Sequence, residues 1–217
     1  MSSGQGVKIF LDLDGTLLDV SNRHFEVYAF AVEQFGGTPL SKRLYWQLKR
    51  CKTGWPQLLA RSGLDPHLLS PFHNAFLGCI EAPEMLAKDQ LFVGTKSSLG
   101  ELSSAHSLSL LTLRRSRANL MDQLRDLDLQ RYFDEIEVGH ARGEAYEAKL
   151  ELMKKVSAFR EVIAVGDTEA DIVAAKMLHV PVVAVLSGLR DHEYLGALEP
   201  DFMIGGIREL PDLVRTL

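Results

Sequence analysis

Three observations predict an α/β fold: a largely parallel sheet with helices on both faces, carrying an all-helical insert near its start. Short apolar runs alternate with helical segments from about residue 100 onward, the texture of strands joined by crossover helices. A single further apolar run stands at the beginning of the chain. Between the two lies a long stretch of helical periodicity with no convincing strand.

Taken in order, Val7 to Leu13 is a short apolar run that ends in an Asp-rich turn with Gly15, which predicts a buried strand delivering polar side chains at its end. From Ser21, Phe25, Tyr28, Ala29 and Val32 recur at helical spacing until Gly36 and Gly37 stop the helix, and a second segment begins near Ser41. Leu58, Leu59, Leu68, Leu69, Phe72 and Phe76 extend apolar faces to about Lys88, with Pro56, Pro66, Pro71 and Pro83 marking breaks. Ser107 to Thr112 is then strand-like, and Leu120, Leu124 and Leu127 form the apolar face of the next helix. Ile136 to Val138, Val162 to Val165, Val180 to Leu186 and Phe202 to Ile204 predict further strands, with helices over Glu144 to Val156 and Glu169 to Leu178. The expected architecture is a discontinuous Rossmann-like core, 1–19 plus 100–217, with a helical domain over 20–99. In open sheets of this kind ligands bind beyond the carboxyl ends of strands, so polar residues directly after apolar runs are the candidates for chemistry.

Composition narrows the function. The 217 residues are 46% apolar and 24% charged, which excludes collagenous, disulfide-scaffold and wholly disordered chains. Twenty-four Lys and Arg against 29 Asp and Glu give −5, too acidic for a protein that coats nucleic acid, and a small-molecule substrate is expected instead. Cys51 and Cys79 form no CxxC pair, so they are read as two half-buried thiols of a reducing compartment. The N-terminus lacks the basic, long-apolar and small-residue pattern of a signal peptide, and no stretch approaches the roughly 18 apolar residues of a membrane span. A cytoplasmic protein with no membrane partner is expected, its oligomeric state open.

Two strand ends carry carboxylate pairs. Asp12 and Asp14 flank Leu13 in Asp12-Leu13-Asp14-Gly15-Thr16, and Gly166-Asp167-Thr168-Glu169-Ala170-Asp171 places two aspartates a helical turn apart after the run Val162 to Val165. Alone, each reads equally as a charged strand end or a solvated helix start. If they meet, about four negative charges in one crevice require a cation, and an all-oxygen donor set points to magnesium. Thr112 closes the run from Ser107, where its hydroxyl and the next amides can hold a phosphoryl oxygen, or where it is a plain helix cap. Lys149 supplies a point charge from the helical segment before Asp167, although a lone helix lysine is usually solvated.

These four segments, in this order, resemble the signature of the haloacid dehalogenase superfamily of phosphohydrolases, and the helical insert after the first is similar to the cap of the subclass that includes phosphoglycolate phosphatase and β-phosphoglucomutase. The resemblance implies a magnesium-dependent phosphatase acting on a small phosphorylated metabolite. It implies Asp12 as nucleophile forming an aspartyl phosphate and Asp14 as general acid/base. An Asp12 oxygen, the Asp14 backbone carbonyl and Asp167 would hold the metal, with Asp171 acting through water or orienting its neighbours. Thr112, the Leu113 and Asp14 amides and Lys149 would bind the phosphoryl group.

The chain departs from the pattern twice. Leu113-Arg114-Arg115 follows Thr112 where many relatives carry an Asn-Lys-like pair, so Arg114 either faces the phosphate or decorates a helix start. Leu150 follows Lys149 where many carry Pro, and Lys154 and Lys155 are nearby substitutes. His24 matches a histidine of the β-phosphoglucomutase-like group or lies on the exposed side of the first insert helix. The basic segment from Leu48 to Trp55, with Arg50 and Lys52, falls where the cap's specificity loop lies in relatives, or is a solvated helix end; Tyr45, Trp46 and Trp55 are expected to pack the insert. Asp14 argues against dehalogenation. A phosphonatase would need a Schiff-base lysine among Lys42, Lys49 and Lys52, and Gly94 to Ser97 is too short for an ATP cradle. A phosphomutase and a non-catalytic phospho-ligand-binding protein are the alternatives retained.

Overall fold

A computed structural model describes residues 6–140, 143–156 and 161–217. The leader region weighed above therefore lies partly outside the described residues. The strands are β1 (Lys8–Leu11), β2 (Leu18–Asp19), β3 (Gln90–Leu91), β4 (Ser107–Thr112), β5 (Glu135–Val138), β6 (Val162–Gly166), β7 (Val182–Val185) and β8 (Phe202–Ile204). Six of them form one parallel sheet in the order β5-β4-β1-β6-β7-β8, and β2 pairs with β3 antiparallel. The expected α/β architecture is therefore observed.

Side chains alternate across the sheet, as the two-residue period of a strand requires. Ile9, Leu11, Leu110 and Val165 face one layer, where α6 (Thr95–Ala105), α7 (Arg117–Asp126) and α11 (Leu210–Val214) supply Leu99, Leu102, Leu120, Leu124 and Leu210. Phe10, Leu111, Ala164 and Ala184 face the other, against Leu152 and Met153 of α8 (Ala145–Val156), Ile172 of α9 (Glu169–Met177) and Leu195 of α10 (His192–Gly196).

β2 and β3 carry the chain out of the sheet and back, side by side. Between them lie α1 (Ser21–Gln34), α2 (Lys42–Arg50), α3 (Trp55–Arg61), α4 (Leu69–Cys79) and α5 (Pro83–Leu86). Asp19 accepts from the Ser21 backbone N–H at 2.9 Å and so starts α1; Gly36, at φ 78°, ends it. The buried stripe of α1 is Val27, Tyr28, Ala31 and Val32, with Phe25 and Ala29 half-buried on its flank, a rotation of the face expected from sequence. This insert has its own core: Tyr28 stacks on Tyr45 at 4.2 Å, and Trp55 packs on Phe72 and Phe76. α6, by contrast, packs against the sheet. Of the two thiols, Cys79 is half-buried as expected, but Cys51 is exposed because it lies just past the end of α2.

Candidate active site

The strand order reverses at β1, which has β4 on one side and β6 on the other, so the loops leaving β1, β4 and β6 converge at the carboxyl edge. Asp12, Thr112 and Asp167 are the residues this geometry delivers. The Asp12 N–H still bonds the Val165 carbonyl at 3.0 Å, which keeps β1 and β6 in register up to the first carboxylate. Beyond it, Gly15 at φ 92° turns the chain, and its N–H meets the Leu18 carbonyl at 2.8 Å.

Lys149 lies on the buried face of α8 with Leu152, Met153 and Val156, at the i, i+3, i+4, i+7 spacing of one helical stripe. Its ammonium donates to Asp12 Oδ1 at 2.5 Å and to the Leu111 carbonyl at 2.7 Å, and pairs with Asp171 Oδ1 at 2.8 Å. All three donors are therefore used. Lys154 and Lys155 are exposed, so neither substitutes for it. Asp171 also accepts from the Thr168 hydroxyl at 2.7 Å and the Thr168 N–H at 3.3 Å, at the start of α9. It thus fixes the helix start and the lysine together.

Asp167 is fully buried; it accepts from the Leu189 N–H at 2.6 Å and the Thr16 hydroxyl at 3.4 Å. The backbone leaves no space to spare there: a β-carbon on Gly188 would stand 2.0 Å from its carboxylate, and one on Gly15 2.1 Å. Oxygens of Asp12, Asp167 and Asp171 lie within 4.8 Å of one another. Burial, then the charges of Asp12 and Asp171, push the Asp167 carboxyl well above its ordinary range. Burial also raises Asp12 to about 7, with Lys149 opposing the shift and Asp171 and Asp14 adding to it. Burial alone would lower the Lys149 ammonium, but Asp12 and Asp171 outweigh it and hold it above its ordinary value. Three carboxylates with one lysine gather formal negative charge in a buried crevice, and an oxygen donor set of this kind fits a hard divalent cation.

Asp14 does not join that cluster through its side chain. Its carboxylate is gripped by Arg114, through Nε and through Nη2 at 2.6 Å, and by Arg23 at 2.7 Å. Burial would raise it, but the two guanidiniums outweigh burial and hold it down at about 2. The same arginines share Asp89, which bonds Arg23 Nε at 2.9 Å and lies 3.4 Å from Arg114, with Gln123 donating at 2.8 Å. Arg114 is thus buried between the two domains, ahead of the helix start at Arg117.

The insert's other candidates are distributed differently from expectation. His24 is not on an exposed helix face: its ring lies 6.2 Å from Trp46 and 6.0 Å from Phe76, and its Nδ1 is buried with no hydrogen-bond partner among the described residues. Arg50 and Lys52, expected at the substrate, instead close the insert onto the sheet domain. Arg50 donates to the carbonyls of Leu186 at 2.7 Å and Arg190 at 3.2 Å, and Lys52 pairs with Glu169. Glu81 completes the seam by accepting from the N–H groups of Arg115 and Ser116 ahead of α7, at 2.7 and 2.8 Å. Arg23, Asp89, Glu81, Glu169 and Arg190 were not singled out from sequence. Arg23 alone left a signal, since it precedes Val27 by one helical turn on the buried stripe, where an arginine must have an acidic partner.

The geometry agrees with what comparison finds. A protein-family model for haloacid dehalogenase-like hydrolases matches residues 9–179. A phosphoglycolate phosphatase of Synechococcus elongatus is 27% identical over 214 residues, covering 96% of this chain and 97% of that protein. Among solved structures, a haloacid dehalogenase-like family hydrolase from Streptococcus pneumoniae superposes with a TM-score of 0.78 at 21% identity, over 96% of this chain and 98% of that one. A subfamily IA hydrolase of the same superfamily from Geobacter sulfurreducens gives 0.66 at 22% identity, over 98% and 99%. The structural likenesses bear on the fold, and the family match spans the strands that carry Asp12, Thr112 and Asp167 together with the helix that carries Lys149: the chain belongs to the haloacid dehalogenase-like hydrolase family.

Proposed function

We propose that this hydrolase is a magnesium-dependent phosphatase of a small phosphate monoester and that phosphoryl transfer passes through an aspartyl phosphate on Asp12. The observation that carries the reading is the Asp12 carboxylate, buried at the end of β1, held at 2.5 Å by Lys149 and facing Asp167 and Asp171, with Thr112 at the end of the neighbouring strand β4. In the first step an Asp12 oxygen bonds phosphorus while the ester P–O bond breaks, and Asp14 gives the departing oxygen its proton. In the second, water attacks the acyl phosphate, Asp14 takes the water's proton, and phosphate leaves Asp12. Thr112, the amides of Leu113 and Asp14, and Lys149 hold the phosphoryl oxygens. Asp12, Asp167 and the Asp14 carbonyl, with Asp171 behind them, would hold magnesium, which supplies charge neutralisation for the two approaching anions. For Asp14 to carry a proton its two arginine contacts must loosen, so the cap's Arg23 ties proton transfer to cap movement.

Release of phosphate from p-nitrophenyl phosphate and from a panel of small esters, with magnesium and with chelator, tests the reading. Magnesium-dependent release supports it. Interconversion of hexose phosphates without release would favour a phosphomutase, and neither activity would favour a phospho-ligand-binding protein. The metal itself has a pH signature. A carboxyl at about 7 when folded against roughly 3.9 when unfolded costs the metal-free fold stability as pH rises from about 4 to 7. A bound cation must displace that proton at low pH. The thermal stabilisation by magnesium is therefore expected to grow between about pH 5 and 7 and to level off above, in melting curves across that range; a shift independent of pH would contradict it.

A further inference from the structure

Asp14 and Asp89 share the same two arginines, and each domain contributes one residue of each sign. Arg23, in the first turn of α1, and Asp89, just ahead of β3, come from the insert; Asp14, just past β1, and Arg114, just past β4, come from the sheet domain. Arg23 gives Nη2 to Asp14 at 2.7 Å and Nε to Asp89 at 2.9 Å. Arg114 gives Nε and Nη2 to Asp14, the latter at 2.6 Å, and its Nη2 also lies 3.4 Å from Asp89. Two guanidiniums thus face two carboxylates in a charge-balanced set.

The two carboxylates are held differently. The Asp89 side chain is 0% exposed, and Gln123 fixes it from a further side at 2.8 Å while bonding the Leu86 carbonyl at 2.9 Å with the same amide nitrogen. The Asp89 N–H is tied to the Leu86 carbonyl as well, at 3.1 Å. The Asp14 side chain is 22% exposed, and among the described residues the two arginines are its only side-chain partners. Each arginine, in turn, has a neutral acceptor that does not depend on Asp14: the Ile80 carbonyl at 3.2 Å for Arg23 and the Gln123 amide oxygen at 3.1 Å for Arg114. When the Asp14 carboxylate turns away, the buried guanidiniums therefore keep one anion and two neutral acceptors. Without the Asp89 charge they would be left as two buried cations with no anion, a cost that holds Asp14 in their grip.

We propose that Asp89 is a positioning residue for the reaction: it is the fixed seat of Arg23 and Arg114, and so leaves the Asp14 carboxylate free to turn to the ester oxygen and then to the attacking water. The proposal rests on the phosphatase reading above and adds to it the residue that makes Asp14 detachable.

Two measurements test it. The first needs no activity. In chelator, Asp14→Asn is expected to melt within about 2 °C of wild type, because the arginines stay on Asp89, whereas Asp89→Asn is expected to fall by about 5 °C or more. If Asp14→Asn melts as low as Asp89→Asn, the two carboxylates are equivalent and the proposal is overturned. The second follows the two chemical steps by rapid mixing with p-nitrophenyl phosphate, whose phenolate leaves without needing a proton. In Asp89→Asn, formation of the aspartyl phosphate on Asp12 is expected within about threefold of wild type, and its hydrolysis, for which Asp14 must take the water's proton, about 10- to 100-fold slower, so that one p-nitrophenol per enzyme appears in a burst. Adding Arg23→Met to Asp89→Asn removes one of the two cations gripping Asp14 and is expected to speed hydrolysis again by about 10-fold, whereas two merely structural defects would add. Equal slowing of both steps in Asp89→Asn, or a double variant that hydrolyses no faster than Asp89→Asn, overturns the proposal. Should Asp89→Asn fail to fold, Arg23→Met with and without Asp89→Asn makes the same comparison: slower hydrolysis in the double variant sustains the proposal, and equal rates overturn it. A wild type that releases no p-nitrophenol defeats the phosphatase reading by itself, and the melting comparison still decides whether Asp89 is the fixed seat.

Discussion

Asp12→Asn is expected to lower phosphate release on the order of 10⁴-fold or more, because an amide oxygen is a poor nucleophile and cannot form the acyl phosphate. The loss should come without a loss of fold. In the absence of metal Asp12 is a burdened carboxylate, raised to about 7 by burial and by its acidic neighbours. Replacing it with a neutral isostere relieves that repulsion, while Lys149 keeps Asp171 and the Leu111 carbonyl as partners. Chelated Asp12→Asn protein should therefore melt no lower than chelated wild type at pH 8, and magnesium should stabilise the variant less than the wild type. Steady-state release and melting curves on the same preparations check both halves. Activity within tenfold of wild type would remove Asp12 from the nucleophile's role, and a collapse of the melting temperature would mean that the loss of activity reports on folding.

The strands that build this site were legible because each is a short apolar run closed by a distinctive residue. Val162 to Val165 ends at Gly166 and Asp167, and Ser107 to Thr112 spans β4 end to end. Buried parallel strands leave that signature because both of their faces are covered. Lys149 was legible too, more firmly than by order along the chain, since helical spacing puts it on one stripe with Leu152, Met153 and Val156 and leaves Lys154 and Lys155 outside it. The seam was not legible. Arg50 finds its acceptors 136 and 140 residues away, and Arg114 reaches Asp14 across 100. Such partners are set by how two separately packed units meet, and no periodicity within either unit encodes that. For the same reason the basic segment after Leu48 revealed its charge but not its division of labour: Arg50 and Lys52 reach the sheet domain, while Lys49, at the adjacent helix position, lies over the Trp55 ring.

Lys149→Met is expected to have the largest effect on stability, and its size should depend on pH and metal in a way that a simple packing defect does not. Methionine fills most of the lysine's volume, so the cost is chiefly electrostatic: Asp12 and Asp171 lose the one ammonium that lies between them, 2.5 and 2.8 Å away. Stripping one partner from a buried ion pair typically costs about 3–5 kcal/mol. For a chain of this length that corresponds to a fall in melting temperature of roughly 6–20 °C. At low pH a proton on one of the acids substitutes for the missing charge and limits the loss, so chelated variant and wild type should converge toward about pH 5 and diverge toward pH 8. Magnesium offers the same compensation at high pH by neutralising the cluster from its other side, and should recover part of the difference there. Turnover has no such remedy if, as proposed, the lysine also holds the transferring phosphoryl oxygens; about a 10²- to 10⁴-fold fall in kcat is then expected even at saturating magnesium. Lys154→Met, an exposed change five residues further along α8, should change stability by less than about 0.5 kcal/mol and serves as the matched control. If the Lys149 deficit were the same at pH 5 and pH 8 and insensitive to magnesium, the lysine would be supporting the fold by packing alone, and its charge would play no part in holding the three acids together.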